Sequence, residues 1–574
     1  MNLSGFKSII SRACTGILLV LITACSQNTN DPGQGLTSRN GMVVTAHPEA
    51  SRVGLEILMN GGNAVDAACA IELALAVSYP VAGNIGGGGF MVMRFHDGLV
   101  SSIDYREKAP ARASRNMYLD EQDEVVAGLS TQSALAVGVP GTVHGVITAH
   151  QKYGRLPFSK VIQPAIDLAR YGFPVTERQA DRFNRSREEF ILMNGSDLPF
   201  VQDGEWQAGD TLKQMDLAFT LERIRDHGID GFYGGETARL IMEEMVNENR
   251  NIHGLIALDD LKNYQSVWRE PIVSDYKEFK IISMGPPSSG GIGLAQLLKM
   301  VEAFPFKDWG WQDSRTMHVV IEAEKRAYAD RAEFLGDPDF YPVPIDALLD
   351  DTYLLRRFDD FTMDHATHAD LIGHGQPIPA ESEETTHYSV VDEEGNAVAG
   401  TTTLNGGYGS GIVVRGGGFF LNNEMDDFSS KPGYPNIYGL VGGDANAIQP
   451  QKRMLSSMTP TILEKDQDLY MIVGSPGGST IITSVFQTIL NVVEHGMSMQ
   501  EAVTVPRFHH QWKPEYVFFE SGTLPDSLIN NLEKKGHVLR ERGSIGRVDA
   551  ILKRPDGSYE GGADPRGDDT ARGY

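Results

Sequence analysis

The feature that most restricts the fold of this chain is an abrupt change of character at Thr385. Residues 362–384 form a loose stretch that is rich in His and then in Glu. Residues 385–392 then alternate as a β-strand does, residues 393–396 can turn, and residues 397–403 return as a second strand. If the turn centres on Glu394 and Gly395, Thr403 lies opposite Thr386 and beside Thr385. We therefore predict two functional parts that meet at a loose junction just before Thr385.

The N-terminus has the pattern of an export signal. Lys7 and Arg12 precede a short apolar run, residues 17–22, which ends in Thr23, Ala24 and Cys25. Such a run is too short to span a bilayer, so residues 1–24 are interpreted as a signal peptide. The ending is similar to a bacterial lipobox, which predicts lipidation of Cys25 as the first mature residue. The alternative is a plain signal peptide with an incidental cysteine.

The segment after this signal and the charge of the chain limit its location and partners. Residues 25–40 are polar and rich in Gly, Ser, Asn and Gln, which is typical of a flexible tether. The formal net charge is −26, and removal of residues 1–24, with Lys7 and Arg12 and no acid, makes it −28. This charge argues against nucleic acid and against an anionic membrane surface as partners. We expect an exported, periplasmic protein that touches the membrane only through a lipid anchor at Cys25.

The cysteines exclude a disulfide framework. Only Cys14, Cys25 and Cys69 occur, and the first would leave with the signal peptide. Cys69 lies among alanines and is predicted to be a small buried residue. An exported protein without disulfides has to depend on a large core, for which 574 residues suffice.

Hydrophobic periodicity predicts a mixture of helices and strands. Val53, Ile57 and Leu58 share one helical face, and an Ala-rich helix is predicted from Ala64 to Ser78, before Pro80. A run of four glycines, residues 86–89, leads into a short buried strand at 90–93. Further helices are predicted at 161–170, 237–246 and 322–334. After Thr385 the pattern is mostly strands, Gly-rich turns and a few helices.

A threonine at a chain N-terminus can act as a nucleophile. Its hydroxyl needs a base, and its own α-amine, with an ordinary pKa of about 7.7–8.0, can supply one. Thr385 would acquire that amine only after cleavage of the preceding bond to Glu384. Because Thr-Thr opening a strand is common, the two threonines alone do not establish this chemistry.

Other chemistries were considered from the same residues. His365, His368 and His374 could form a metal site, but no Cys or carboxylate spacing fixes its geometry, so a solvated segment fits better. Residues 507–512 contain a His pair that we interpret as structural. No Gly-Lys-Ser/Thr follows either Gly-rich run, which excludes a phosphate loop. We expect neither a metal nor an organic cofactor.

Several separated motifs together resemble one family. They are residues 104–110, 385–392, 421–428, 453–460 and 474–479. In order and spacing they are similar to the γ-glutamyltranspeptidase family of N-terminal-nucleophile hydrolases, over about residues 41–574. The resemblance implies an α+β fold, a four-layer αββα sandwich formed jointly by two chains. It also implies autocatalytic cleavage between Glu384 and Thr385. The large subunit, 41–384, and the small subunit, 385–574, would remain together as a heterodimer.

The resemblance also assigns a role to individual residues. Thr385 matches the nucleophile, and Thr403 matches the threonine that hydrogen-bonds it. The residues that match the binding site for the α-carboxylate of a γ-glutamyl group are Arg106, Ser456 and Ser457. Those that match the binding site for its α-amino group are Asn405, Glu424 and Asp427. Gly477 and Gly478 match the oxyanion hole.

The same residues have ordinary alternative interpretations. Without the family, Arg106 would be a surface ion-pair residue, and Thr403 a β-branched residue of a strand. Glu424 and Asp427 would belong to an acidic loop or to a calcium site that lacks most of its ligands. Ser456 and Ser457 would belong to a turn. Only the combination of positions favours a functional role.

The resemblance extends to a lid loop and to an activity. Residues 431–446 match a lid over the pocket, with Tyr438 at the gating position. Gly-rich departures occur at 406–408 and 416–418. The implied reaction transfers the γ-glutamyl group of glutathione or another γ-glutamyl amide to water or to an amino-acid or dipeptide acceptor. The rivals are an acylase of the same fold, acting on β-lactam side chains or poly-γ-glutamate, and an inactive lipid-anchored binding protein.

Overall fold

Two antiparallel sheets organise the part of the chain that the computed structural model describes, residues 34–373 and 385–574. The strands, in chain order, are β1 (Leu36–Ser38), β2 (Met42–Thr45), β3 (Gly88–Arg94), β4 (Val100–Asp104), β5 (Phe173–Pro174), β6 (Thr211–Leu212), β7 (Val267–Arg269), β8 (Ile272–Tyr276), β9 (Phe279–Ser283), β10 (Thr385–Val391), β11 (Ala397–Thr403), β12 (Thr461–Lys465), β13 (Asp468–Gly474), β14 (Phe508–His509), β15 (Val517–Glu520), β16 (Leu539–Arg542), β17 (Asp549–Lys553), β18 (Tyr559–Ala563) and β19 (Thr570–Gly573).

Helices connect these strands and cover the sheets. They are α1 (Pro48–Met59), α2 (Ala64–Ser78), α3 (Thr142–Tyr153), α4 (Phe158–Tyr171), α5 (Glu177–Asn194), α6 (Met215–His227), α7 (Asp230–Tyr233), α8 (Gly235–Met245), α9 (Leu258–Lys262), α10 (Gly290–Val301), α11 (Phe306–Trp309), α12 (Ser314–Phe334), α13 (Ile345–Leu348), α14 (Asp351–Arg357), α15 (Ile481–Val493), α16 (Met499–Thr504) and α17 (Asp526–Lys534). Within the described ranges, no helix combines the length and the apolar character needed to cross a membrane.

Both main sheets mix strands from the two sides of Thr385. The first sheet has the order β19-β2-β10-β11-β3-β4-β7, and the second has the order β1-β18-β17-β13-β12-β9-β8. In the first sheet the hairpin β10–β11 is hydrogen-bonded on one side to β2 and on the other to β3. The chain after Thr385 therefore cannot form either sheet alone.

The apolar cores explain how the sheets are stacked. One cluster lies between the sheets and includes Val44 and Val92 from the first sheet and Ile472 and Ile551 from the second. A second cluster packs helices such as α2 and α4 on the other face of the first sheet, and a third packs α12 and α15 on the second sheet. This arrangement confirms the predicted mixture of helices and strands, and the two main sheets are antiparallel.

Helix α2 shows why the chain folds this way next to the hairpin. It runs from Ala64 to Ser78, as predicted, and every side chain in it is buried, including Cys69. Asn63 and Asp66 form a capping box at its start, because each side chain accepts a bond from the other's backbone N–H. The carboxylate of Asp392, in the hairpin turn, accepts a further bond from the N–H of Ala64 at 2.9 Å. The hairpin turn therefore also binds the N-terminus of α2.

The register of the hairpin differs from the predicted one by one residue. Thr385 pairs with Thr403, and Thr386 pairs with Thr402. The loop contains the five residues 392–396 and is centred on Glu394, not on the Glu394–Gly395 bond. Gly395 takes φ of 84°, which lets the odd-numbered loop close. The prediction that Thr403 lies opposite Thr386 was therefore wrong, and Thr403 directly faces Thr385.

Part of the predicted tether is a strand. Leu36–Ser38, within residues 25–40, forms β1 and pairs with β18 at the edge of the second sheet. The backbone N–H of Gly35 donates to Glu560 at 3.1 Å. Its Cα passes so near Gly561 that a Cβ would lie 2.1 Å from the carbonyl oxygen of that residue. The polar composition of this segment did not predict a strand. The strand is stabilised by its backbone pairing with β18 and not by apolar side chains.

Candidate active site

The hairpin places two threonine side chains together between the two sheets. Alternate residues of a strand face opposite sides, so Thr385 and His387 share the inner face of β10, and Thr403 shares the inner face of β11. Oγ1 of Thr403 accepts a bond from the N–H of Asn405 at 2.7 Å. Asn405 has φ of 74°, so the chain turns sharply away just after β11. This bond and the strand pairing hold the end of the hairpin in one conformation. We call this end, Thr385 and residues 403–405, the platform.

His387, two residues from Thr385, is not a base. Its ring is fully buried between the sheets, and burial lowers its pKa to about 3. Nδ1 lies 2.8 Å from Oγ1 of Thr401, and Nε2 lies 3.1 Å from Oγ of Ser389. The ring needs Gly474 in β13, because a Cβ there would lie 2.3 Å from it. This histidine orders the strand and stays neutral at physiological pH.

Arg106 follows β4 and is buried under the platform. Its backbone N–H donates to Asp104 at 2.9 Å. Its guanidinium donates to the carbonyl oxygens of Met454 at 3.3 Å and Leu455 at 3.2 Å. The interpretation of Arg106 as an ordinary surface residue is wrong, since its exposed fraction is 0%.

Two predicted site carboxylates bind directly to Arg106. Glu424 and Asp427 begin and end a single 3₁₀ turn, and each accepts a bond from a different terminal nitrogen of the guanidinium. Glu107 lies 3.7 Å from the same group. Burial raises the pKa of Glu424 and of Asp427, and the Arg106 cation opposes that rise. Burial also raises the pKa of Glu107 to about 7.

Four buried acceptor atoms in this region lack a hydrogen-bond partner among the described residues. They are Oδ1 of Asn405, Oε2 of Glu424 and both carboxylate oxygens of Glu107. The amide nitrogen of Asn405 donates to the carbonyl oxygen of Asn423 at 3.0 Å, which fixes the orientation of its side chain. Buried acceptors without partners are rare in proteins. Together with three carboxylates around one arginine, they make a site suited to a ligand with several donors and a positive charge.

Ser456 and Ser457 lie on a loop that is fastened to the start of α10. The N–H of Ser456 donates to the carbonyl oxygen of Pro287 at 2.9 Å, and Ser289 donates from its backbone and its hydroxyl to the carbonyl of Ser456. The hydroxyl oxygen of Ser457 accepts a bond from Arg331 at 3.1 Å. Arg331 is not among the predicted site residues, although the many charges in residues 322–334 were a usable signal of buried charged side chains.

Gly477 and Gly478 form the bend that leads into α15. Their φ values are 132° and 52°, which residues with a side chain rarely adopt. A Cβ on Gly478 would lie 2.2 Å from the ring of Tyr438, so the ring rests on this backbone. A 3₁₀ turn, Gly478–Thr480, continues directly into α15. The partial positive charge of that helix N-terminus therefore faces the two glycines.

The predicted lid, residues 431–446, is closed over the platform. The hydroxyl of Tyr438 donates to the carbonyl oxygen of Asn405 at 2.5 Å. The side chain of Asn436 donates to Asp427 at 2.8 Å and accepts from the N–H groups of Tyr438 and Leu440. Asp426 accepts from the N–H of Ile437 at 2.8 Å, and burial raises its pKa to about 7. The lid is thus attached to the same turn that carries the site acids.

One small cavity, of about 20 Å³, unites the predicted residues. Its lining comprises Arg106, Thr385, Thr403, Asn405, Glu424, Asp427, Tyr438, Leu440, Ser456, Ser457, Met458, Gly478 and Ile481. Gly477 is the neighbour of this lining and not part of it. Sequence analysis missed Leu440, Met458 and Ile481, whose apolar side chains give no chemical signal. The closed cavity is therefore far smaller than a site for a drug-sized molecule, about 300–1,000 Å³.

Some predictions fall outside the described residues. These are Cys25, Glu384 and His374. His365 lies 3.1 Å from Thr362 through Nδ1, and His368 bonds the N–H of Asp370, so each histidine contacts its own segment.

A different trio, His318, Glu322 and His537, has side chains close enough to hold a metal ion. The carboxylate of Glu322, however, is bound to Lys325 and Arg326. Nδ1 of His318 lies 2.7 Å from Nε2 of His537, which is a hydrogen-bond distance.

Comparison with known proteins identifies the family. The family model for gamma-glutamyltranspeptidase matches residues 50–574. The glutathione hydrolase proenzyme of Escherichia coli (strain K12) is 48% identical over 541 residues, 94% of this chain and 92% of that protein. The crystal structure of Helicobacter pylori gamma-glutamyltranspeptidase is 43% identical, with a TM-score of 0.54 over 59% of this chain and 94% of that chain.

A further similarity is to the crystal structure of cephalosporin acylase from Bacillus halodurans. It has a TM-score of 0.81 at 25% identity and covers 97% of this chain and 99% of that chain. The family match extends over most of the sequence, and the Escherichia coli protein is similar along nearly its whole length. This chain therefore belongs to the gamma-glutamyltranspeptidase family.

Proposed function

We propose that this chain is a γ-glutamyltransferase and glutathione hydrolase that cuts itself between Glu384 and Thr385. The family and the name of the Escherichia coli relative support this activity. Cleavage would give a large subunit, 41–384, and a small subunit, 385–574, which jointly form a four-layer αββα sandwich of the N-terminal-nucleophile type. The mixing of strands from both sides of Thr385 in both sheets supports a heterodimer that stays together.

The single observation that carries the proposal is the presence of both charges in the lining of one cavity. Arg106, Ser456 and Ser457 offer donors, which suit an α-carboxylate. Asn405, Glu424 and Asp427 offer acceptors, and two of their buried oxygens lack a protein partner among the described residues. An α-ammonium group has three donors for these acceptors. The glutamyl head carries both groups on one carbon, and few other acyl groups do.

Substrate binding would exchange one set of ion pairs for another. Arg106 contacts Glu424 and Asp427 directly. A zwitterion entering between them would give the arginine a new carboxylate and the acids a new cation. Each buried charge then keeps a partner of opposite sign, so binding avoids the large cost of leaving a charge unpaired. A neutral acyl group would gain nothing from either side.

Thr385 would carry out the chemistry. After cleavage its α-amine takes the hydroxyl proton as Oγ1 attacks the γ-carbonyl carbon, and Thr403 is proposed to hydrogen-bond the nucleophile. The N–H groups of Gly477 and Gly478, at the N-terminus of α15, would stabilise the negative oxygen of the tetrahedral intermediate. The amine then returns its proton to the leaving nitrogen.

The γ-glutamyl ester on Thr385 would be released by a second attack. Water gives hydrolysis, and the amine of an amino acid or dipeptide gives transfer. Both steps use the same oxyanion position and the same α-amine as base. The proposed reaction uses no metal or organic cofactor.

The main alternative is an acylase that acts on β-lactam side chains or poly-γ-glutamate. The likeness to the cephalosporin acylase structure favours it. The lid argues against it, because Tyr438 and Asn436 close the cavity above the glutamyl head. Parallel assays with a γ-glutamyl anilide and with a cephalosporin side-chain amide would separate the two activities. The other alternative, an inactive binding protein, would show neither activity.

The proposed location is the periplasm. Residues 1–24 would be removed as a signal peptide, and the residues between Cys25 and strand β1 would link a lipid-modified Cys25 to the folded body. N-terminal sequencing and mass analysis of the mature protein would test the modified start and the internal cut in one experiment. A mature chain that begins elsewhere than Cys25 would contradict the lipid anchor.

The decisive variants change Thr385 alone. Thr385→Ala removes the hydroxyl, so we expect an intact chain of full length with no turnover of a γ-glutamyl anilide. Thr385→Ser keeps a hydroxyl and an α-amine, so we expect cleavage and reduced but measurable activity. Thr386→Val, on the opposite face of β10, is the matched control and should be cleaved. A cleaved Thr385→Ala protein, or an active intact chain, would contradict the proposal.

A further inference from the structure

A second buried arginine lies directly behind the serine loop. Arg331 is in the last turn of α12, and its residue is 6% exposed. Its Nε donates to Oγ of Ser289 at 3.0 Å, and its Nη2 donates to Oγ of Ser457 at 3.1 Å. The hydroxyl of Ser289 in turn donates to the carbonyl oxygen of Ser456 at 2.6 Å. One guanidinium therefore braces both serines of the cavity.

Arg331 differs from the other buried cations of its helix. Lys325 pairs with Glu322 and Glu515, and Arg326 pairs with Glu322 and Asp360. The described residues place no carboxylate in salt-bridge contact with Arg331, whose bonds go to neutral serine oxygens. The carboxylate of Asp427, which lines the same cavity, attracts this cation without an ion-pair contact. A buried charge without a contacting counter-ion is costly. A ligand carboxylate in the cavity would supply a closer anion.

The bond to Arg331 also fixes the direction of the Ser457 hydroxyl. Arginine has donors only, so the oxygen of Ser457 must be the acceptor in this contact. The proton of Ser457 is then directed to another acceptor, and Ser457 lines the cavity. A serine polarised in this way is a stronger donor to an anion, because hydrogen bonds in a chain reinforce each other.

We propose that Arg331 is a positioning residue that makes the cavity selective for acyl donors with an α-carboxylate. It acts through Ser457, which it turns and polarises towards the carboxylate, and through Ser289, which holds Ser456. Arg106 would contact the same carboxylate directly. This inference rests on the proposed γ-glutamyl transfer, and it concerns selectivity, whereas Thr385 concerns the reaction itself.

The test compares two donors that differ only in the α-carboxylate, a γ-glutamyl anilide and the corresponding 4-aminobutyryl anilide. In the unaltered enzyme we expect the γ-glutamyl donor to have the higher kcat/KM. Arg331→Met should reduce that preference by about 10- to 100-fold, mainly through a higher KM for the γ-glutamyl donor. The kcat/KM for the 4-aminobutyryl donor should change little. Arg331→Lys restores a cation but cannot reach both serines, so part of the preference should return.

The control is Arg326→Met, which removes a buried arginine from the same helix. Arg326 makes no hydrogen bond to Ser289, Ser456 or Ser457 among the described residues. This variant should lower stability and leave the ratio of the two donors unchanged. If Arg331→Met lowers kcat/KM for both donors equally, Arg331 is merely structural and the inference fails. If Arg331→Met does not fold, the ratio is measured in Arg331→Lys with and without Ser457→Ala, and independent effects of the two changes overturn the inference. An unaltered enzyme that turns over neither donor refutes the proposed function, and the inference with it.

Discussion

Arg106 shows how much electrostatic work a single side chain performs here. Three buried carboxylates surround its guanidinium, and burial by itself would lower its pKa. The negative charges of Glu424, Asp427 and Glu107 raise that pKa again, so the arginine remains a cation. The acids in turn depend on Arg106 as their buried counter-ion.

Removal of Arg106 should therefore destabilise the protein strongly. We expect Arg106→Met to lower the free energy of unfolding by about 3–5 kcal/mol, because it leaves Glu424 and Asp427 buried without a cation. Arg106→Lys should cost less, since it keeps the charge and loses only the fork. Urea unfolding in the Thr385→Ala background, in which the chain is expected to stay intact, measures both. Arg52→Met, at an exposed ion pair, is the control. An unchanged unfolding midpoint for Arg106→Met would refute this view.

His387 should make the free energy of unfolding depend on pH in a definite direction. Its folded pKa, about 3, lies below the unfolded value of about 6.5, so between these values only the unfolded state binds the proton. The stability from the neutral ring is fully present above about pH 6.5 and is lost as the pH falls towards 3. The advantage of the unaltered protein over His387→Gln should shrink by up to about 1.4 kcal/mol per pH unit below 6.5.

Urea unfolding at pH 8.0, 6.5 and 5.0 measures this advantage, again in the Thr385→Ala background. The exposed His253→Gln is the control for replacing a histidine elsewhere. A difference between the unaltered protein and His387→Gln that is the same at all three pH values would show that the ring is not held neutral.

At the scale of the element, the proposed lid and the candidate site form one unit. Asp426 and Asp427 lie in the 3₁₀ turn of the site, and they bind the lid backbone and Asn436. The far end of the lid is held by Lys452, whose ammonium nitrogen donates to the carbonyl oxygens of Ala445 and Ala447. Opening the lid therefore requires loss of contacts at the tip, where Tyr438 meets Asn405.

Tyr438→Phe should loosen the lid without disturbing its base. The change removes one hydrogen bond worth about 1 kcal/mol, so the open form should become about fivefold more populated. Limited proteolysis within residues 431–446, or hydrogen exchange of that segment, should accelerate by the same factor. Tyr434→Phe is a matched change on the same loop at a residue that is 41% exposed. Equal rates for the two variants would mean that the hydroxyl of Tyr438 does not hold the lid.

At the scale of the whole molecule, the sheets interleave the two proposed subunits. The hairpin β10–β11 lies between β2 and β3, and β1, β8 and β9 flank the small-subunit strands of the second sheet. The apolar cluster between the sheets contains buried residues from both sides of the proposed cleavage site. Such an interface resembles a domain core and not a contact between independent proteins.

The cleaved enzyme should consequently behave as one particle. We expect the two fragments to elute together in gel filtration without denaturant, at the position of the intact Thr385→Ala chain, and to separate only in urea. Native mass spectrometry would measure the same association. Elution of the 385–574 fragment alone in plain buffer would contradict the interleaved architecture.

Sequence patterns predicted local features well and contacts poorly. The bounds of α2 followed from its Ala-rich run and Pro80. The hairpin was predicted too, with Thr385 and Thr403 as neighbours in it. The register was missed by one, because loop length and not composition decides which residue is central. Strand β1 and the buried charges of α12 were missed for one reason: both are stabilised by partners that are distant in sequence. The backbone N–H of Gly35, next to β1, donates to Glu560, and the side chain of Arg326 pairs with Asp360.

The candidate site divides in the same way. The residues came from motifs, and the cavity unites nearly all of them. The direct pairing of Arg106 with Glu424 and Asp427, and the role of Arg331 behind Ser457, depend on tertiary geometry that no spacing encodes.

The position of β10 in the middle of its sheet has a consequence for the life of the molecule. As a single chain, the protein finds its neighbours by intramolecular collapse, helped by the covalent link before Thr385. Once that link is broken, the same search becomes an encounter of two separate molecules, slower in dilute solution and dependent on their concentration. Self-cleavage would thus act as a ratchet: the mature enzyme keeps a shape that its pieces could not readily regain after being parted.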